Sequence, residues 1–264
     1  MKKHILTEDD LVEIFTSPGK PGKKEARRRR YFLYPLVLVA FYASVFVAIN
    51  FNSIYSNLRF WYFTEYKNEP FNELTADGNQ TDPSAYANHG NPERISPNIP
   101  HLENSHLRIP SINVTAPITW EIENQPGIVK SNLQNGLIHI KGTALPGSNG
   151  NVFVTGHSSD LPWAKGNYKT VFALLGHVVI GDVVHINYQD KDYLYKVSEI
   201  KTVQPTDVSV MQSTENPSLS LMTCTPVGTT LRRLVVISKQ VYPDPTNNQP
   251  GPGQNHNAQL PKTR

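Results

Sequence analysis

The chain has 264 residues, 38% hydrophobic and 18% charged, with one cysteine and a formal net charge of +3. That length holds one globular domain of about 150 residues plus about 100 residues of anchors, linkers or tails, and excludes two full domains. A single cysteine excludes an internal disulfide framework and any multi-cysteine zinc or iron–sulfur site.

The basic balance would suit a nucleic-acid partner, but its distribution argues for no nucleic acid. Residues 1–30 carry nine basic and five acidic side chains, +4 in all, and residues 31–51 carry none, so the remaining 213 residues sum to −1. Residues 1–30 therefore read as a basic cytoplasmic tail. The uncharged run Tyr31 to Phe51 (YFLYPLVLVAFYASVFVAINF) is 21 residues long, about 31 Å as a helix and enough to cross a bilayer core. Pro35 falls in its first turn, where a missing N–H costs least. Arg27 to Arg30 directly before it predict a cytoplasmic N-terminus and an extracellular C-terminal domain. The run exceeds a signal-peptide core of about 7–15 residues and no A-x-A site follows, so residues 31–51 are expected to be a retained transmembrane signal anchor in the cell membrane rather than a cleaved leader.

Residues 52–106 read as an extracellular stalk. Its first part, NSIYSNLRFWYFTEYK, is aromatic enough to continue the helix to the lipid headgroups; beyond Asn68 it turns to Pro, Asn, Asp and Gly. Residues 107–242 form the compact part. Short β-branched runs recur there between turn signals, at 107–118, 136–140, 151–157, 183–188, 193–203, 219–224 and 232–242, which predicts an all-β, closed or sandwiched domain. Helical signal is confined to about Lys169 to Leu175 and a turn near Ile128 to Leu133. Residues 243–264, with five prolines among 22 residues, are expected to be a disordered tail.

Cys224 ends the apolar run LSLMT beside the turn TPVG. A lone cysteine is ordinarily a packed small hydrophobe, and becomes a nucleophile only where a base stabilises its thiolate. Of nine histidines, His139, His157, His177 and His185 lie in the domain. His157 ends the strand NVFVTGH at a loop, His139 ranks close behind, and His177 and His185 sit where structural histidines usually do. A metal site of His139, His157 and His185 lacks short ligand spacing and nearby carboxylates, and no metal or cofactor is expected. Acyl transfer also needs donors aimed at the developing oxyanion. Arg232 and Arg233 open the strand after the Cys224 turn, and side-chain alternation brings one of them back beside the cysteine.

LSLMTCTPVGTTLRRLVV resembles the TLxTC segment and following arginine of the sortases, the cysteine transpeptidases of mainly Gram-positive cell surfaces. LRIPSINVTAPI, GLIHIKGTALPG, GNVFVTGHSS and VFALLGHVVIGDVV resemble further segments of that family, in its order, over about residues 107–242. The resemblance implies a closed eight-stranded β-barrel with one or two short helices. It implies Cys224 as nucleophile, His157 as general acid/base and Arg233, directly before Leu-Val-Val, as the oxyanion or substrate-positioning residue, with Thr223 beside the cysteine adding a donor. Ser220 stands where the family has its first Thr and keeps the hydroxyl.

The implied substrate is an LPxTG-like sorting signal of a secreted surface protein, held between the loops at about 204–218 and 225–231. The implied second substrate is an amine of a cell-wall precursor or a pilin. Asp82-Pro83 resembles the lid motif of pilus-building sortases, but Ser84 replaces its aromatic, and the polar tail supplies no second span, so a single-anchor enzyme is expected. A catalytically silent peptide-binding module of the same family is the alternative.

Overall fold

The structure is a computed structural model that describes residues 23–67, 102–252 and 260–262; Asp82, Pro83 and most of the stalk lie outside them. The chain divides into two compact units, residues up to Phe46 and residues from Val47 onward.

Helix α1, Lys23–Ile49, contains the uncharged run almost to its end, with Pro35 inside. Its apolar side chains are turned outward, Leu36 and Val39 being two-thirds exposed. Among the described residues no single helix is long and apolar enough to cross a membrane; Leu33–Ile49 and Phe51–Tyr66 pass that test only when taken together as a broken pair.

Helix α2, Phe51–Trp61, continues into a single π-turn, Tyr62–Tyr66. The sequence led us to expect this stretch at the headgroups. It lays one face on the β-strand domain that follows, because Ser53, Asn57 and Phe60 recur at helical spacing. The Ser53 hydroxyl donates to the Ser158 carbonyl at 3.0 Å, Asn57 Nδ2 donates to the Ala173 carbonyl at 3.2 Å, and the Phe60 ring lies 4.3 Å from that of His177.

Eight strands follow: β1 His106–Ile109, β2 Val114–Ile122, β3 Leu137–Ile140, β4 Asn151–Thr155, β5 Val183–Tyr188, β6 Lys191–Val203, β7 Ser218–Thr225 and β8 Arg232–Tyr242. They close a barrel in the order β1-β2-β3-β4-β7-β8-β6-β5, with β5 pairing back on β1. Only β2–β3 and β4–β7 are parallel. The run read at 107–118 is two strands, since a 3₁₀ turn at Pro110–Ile112 ends with Asn113 in the left-handed region and reverses the chain. Helix α3, Pro126–Asn132, stands at the weaker of the two predicted helical positions, with Pro at its start where no N–H is needed. The stronger one, Lys169 to Leu175, is a series of turns, and the 3₁₀ turn Leu175–His177 follows it.

Two apolar clusters lie on opposite faces of the wall. Val152, Val154, Leu219, Leu221 and Val236 belong to the cluster that fills the barrel. Phe153, Met222 and Val235, one residue out of phase, face an outer cluster covered by Val129 and Leu133, Val210 and Met211, and Leu260. Burial on both faces is why β4 reads NVFVT without polar alternation. Among the described residues after β8, some are tied back to the barrel domain. Asn149 N–H donates to the Gln249 carbonyl at 2.8 Å, Gln249 N–H donates to Gly147 at 2.9 Å, and Leu260 is buried. Backbone hydrogen bonds need no apolar side chains, so proline-rich polar sequence did not reveal them.

Candidate active site

Strand register assembles the site. In the parallel pair β4–β7, Thr155 stands opposite Met222; in the antiparallel pair β7–β8, Met222 stands opposite Val235 and Cys224 opposite Arg233. These residues share the outer face, because side chains two apart point the same way. The next row on that face, one step towards the strand ends, is His157, Cys224 and Arg233. Beyond the end of β4 the path to His157 is held by Gly156 N–H donating to the Met222 carbonyl at 3.2 Å, the Thr223 hydroxyl donating to the Gly156 carbonyl at 2.9 Å, and Phe172 N–H donating to the His157 carbonyl at 2.8 Å. Gly156 points to the barrel side, where a Cβ would come within 2.5 Å of Leu137 and 2.9 Å of Phe172. Only glycine lets the chain pass that close and deliver the histidine.

All three side chains are at the protein's interior edge: Cys224 is 5%, His157 3% and Arg233 5% exposed. Arg232, one residue away, is exposed, so alternation on β8 separates the two arginines and leaves Arg233 on the buried side. The Arg233 guanidinium is fixed by Nη1, which donates to the carbonyls of Thr230 at 3.0 Å and Arg232 at 3.2 Å. Its buried Nε meets no acceptor. A buried donor without an acceptor costs about 1–3 kcal/mol, a cost understandable where the acceptor arrives with a substrate. Of the two donors expected of Thr223, hydroxyl or backbone, the hydroxyl is spent on the Gly156 carbonyl; its side chain lies out of phase with Cys224.

Two features escaped the sequence reading. Asp160 Oδ2 lies 3.7 Å from His157 Nε2, with both side chains buried. The GHSSD spacing was visible, but whether the loop turns the carboxylate back onto the imidazole was not. The second is the start of α2. Asn50 and Ser53 are buried, and Gly228, in the loop between β7 and β8, has φ +85° and so little room that a Cβ would fall 2.7 Å from Asn50 Oδ1. Gly228 N–H also donates to the Ser159 hydroxyl at 3.0 Å, tying the loop after Cys224 to the loop after His157. A cleft of about 360 Å³ lies between α2 and the barrel, lined by Tyr55, Arg59, Thr115 and Tyr168 among others.

The other domain histidines are held elsewhere. His185 Nε2 pairs with Asp192 at 2.7 Å. His139 Nε2 lies 2.9 Å from both the Ala144 carbonyl and the Thr143 hydroxyl. Among the described residues no group of three or more His, Cys, Asp or Glu side chains is placed to hold a metal. Burial is the larger influence on His139 and lowers its pKa to about 4, against a smaller upward pull from the Ala144 carbonyl. Glu121 Oε1 lies 3.3 Å away, but that carboxylate is half exposed, and solvent screens it.

A histidine depressed in the fold and ordinary when unfolded binds its proton more readily in the unfolded chain. Its contribution is therefore complete above about pH 6.5 and is lost as pH falls through about 4. Urea midpoints measured between pH 7 and pH 4 should fall, with a loss approaching about 3 kcal/mol at the acid end, and His139→Gln should flatten that dependence. An equally steep dependence in the variant would assign it to other groups.

The comparisons with known proteins point to one family. The family described as Sortase domain matches residues 107–241, half of the chain and nearly all of the barrel. Sortase D of Bacillus subtilis is 28% identical over 139 residues, covering 51% of this chain and 62% of that protein. Sortase A of Listeria monocytogenes is 32% identical over 95 residues, 31% of this chain and 41% of that one. The chain thus spans about three-fifths of the Bacillus relative and two-fifths of the Listeria one. Among solved structures, sortase C1 of Streptococcus agalactiae is 27% identical with a TM-score of 0.45, covering 53% of this chain and 68% of that one. With residues 107–241 matched and a closed eight-stranded barrel built from them, the chain belongs to the sortase family.

Proposed function

We propose that this protein is a membrane-anchored cysteine transpeptidase that cleaves an LPxTG-like sorting signal and passes the acyl group to an amine. The observation that carries the proposal is the pairing of Cys224 with Arg233 on the face that His157, just past the end of β4, continues.

The Cys224 thiolate attacks the carbonyl carbon of the signal's threonine. A carbon–sulfur bond forms, and negative charge develops on the oxygen, where the buried Arg233 Nε is available to donate. The carbon–nitrogen bond then breaks as His157 gives its proton to the departing amine, leaving a thioester. An incoming amine, losing its proton to His157, attacks the thioester; a new amide forms and the thiolate is regenerated. Water in place of the amine gives hydrolysis. The amine is that of a cell-wall precursor or a pilin.

The anchor is supported by the uncharged run at 31–51, the exposed apolar side chains of α1, and Arg27 to Arg30 before it. It places the barrel outside the cell.

The test is to incubate the full chain in detergent with a pentapeptide library and amine nucleophiles and read the masses. An acyl adduct on Cys224, and a product joining peptide to amine, are expected. Peptide binding with neither adduct nor product would favour the silent binding module.

A further inference from the structure

We propose that Asp160 acts through His157, as a positioning residue whose carboxylate stabilises the protonated imidazole beside Cys224. This rests on the reading of His157 as general acid/base.

Asp160 Oδ2 stands 3.7 Å from His157 Nε2, with side-chain exposures of 8% and 3%. That separation is an ion pair and too long for a hydrogen bond, so what Asp160 supplies is charge in a site shielded from solvent. Its other oxygen, Oδ1, accepts from the Leu161 amide at 2.7 Å, which fixes the carboxylate and keeps Oδ2 turned to the ring.

The need for that charge follows from the rest of the row. Arg233, on β8, puts a permanent cation on the same face as His157, with Cys224 of β7 between them. The segment packed on the His157 carbonyl through Phe172 carries Lys169, whose ammonium is spent on the exposed Pro162 carbonyl at 2.8 Å. The start of α2 brings only the uncharged Asn50 and Ser53. The Arg233 cation opposes protonation of the imidazole. A leaving amine must nevertheless receive its proton from an imidazolium, and that imidazolium also stabilises the attacking thiolate. A buried carboxylate against Nε2 offsets that cation.

The competing role for Asp160 is structural, as the acceptor that shapes the loop at Leu161. Asp160→Asn separates the two, since an amide oxygen still accepts from Leu161 while the charge is gone; Asp160→Ser, with a hydroxyl acceptor, does the same should the Asn variant fail to fold. The measurement is the titration of His157 by NMR in the full chain, labelled at histidine, carrying Cys224→Ala so that the thiol does not contribute. The midpoint is expected about one pH unit lower in Asp160→Asn than in the parent, with Asp160→Glu close to the parent. In the enzyme that retains Cys224, the acid limb of kcat/KM should move down with it, while the maximum falls about ten-fold.

An unmoved midpoint in a folded variant overturns the proposal, as does a midpoint that moves without the acid limb. If His157→Ala retains parental turnover, the catalytic reading of His157 fails instead, and the parent and Asp160→Asn midpoints still report whether the ion pair exists.

Discussion

Cys224→Ala is expected to abolish both cleavage and transfer, with kcat falling at least about 10⁴-fold, because no other group in the row can form the acyl intermediate. The chain holds no second cysteine to substitute for it. His157→Ala should cost about 10²–10⁴-fold, since thiolate formation and protonation of the leaving amine then fall to water. The Cys224 variant should still fold. It deletes one sulfur at a strand end, well short of the large cavities that destabilise cores by several kcal/mol, and the β7–β8 pairing around it is made by backbone groups. The check is a mass-resolved transpeptidation assay run beside circular dichroism on the same samples. Undiminished product from a folded Cys224→Ala protein would sink the transpeptidase assignment. Loss of activity accompanied by loss of the barrel signal would show that the residue belongs to the core, as a lone cysteine ordinarily does.

The strands were legible because each is short, β-branched and bounded by turn residues, and all seven predicted runs hold strand. The helices were less so, and Lys169 to Leu175 shows why. KTVFALL has helical spacing, yet the hydrogen bonds made here reach back three residues, Ala173 to Thr170 and Leu175 to Phe172, and the Phe172 amide is taken by His157. Phe172, Leu174 and Leu175 are drawn into the barrel cluster, so tertiary burial overrides local propensity.

For the site, residue types and family spacing pointed to Cys224, His157 and Arg233, but not to their surroundings. Asp160 needed the course of a loop three residues long. The contact of Asn50 with Gly228 joins positions 178 residues apart, a separation that no local pattern encodes. For Arg232 and Arg233, alternation requires that one face in, family spacing favours Arg233, and the register sets Arg233 opposite Cys224.

That register yields the second large effect. Arg233→Ala is expected to lower kcat/KM by about 10²–10³-fold, the usual cost of deleting a donor from an oxyanion site, while Arg232→Ala should stay within about two-fold. The ground for the contrast is geometric: Arg233 pairs with Cys224 across β7–β8 and is 5% exposed, whereas Arg232 pairs with Thr225 and is exposed. Arg233→Lys tests the donor geometry, because a guanidinium anchored by Nη1 on Thr230 and Arg232 presents Nε at a fixed place, and a flexible ammonium reproduces the charge without that fork. The lysine variant should therefore recover only part of the loss. Removing Arg233 also leaves those two carbonyls without their donor, so each variant's thermal midpoint must be measured beside its kinetics. A loss confined to kcat with the midpoint held assigns Arg233 to the reacting oxygen. Equal losses at both arginines, or a larger one at Arg232, would mean that the working strand register differs from the one that pairs Cys224 with Arg233.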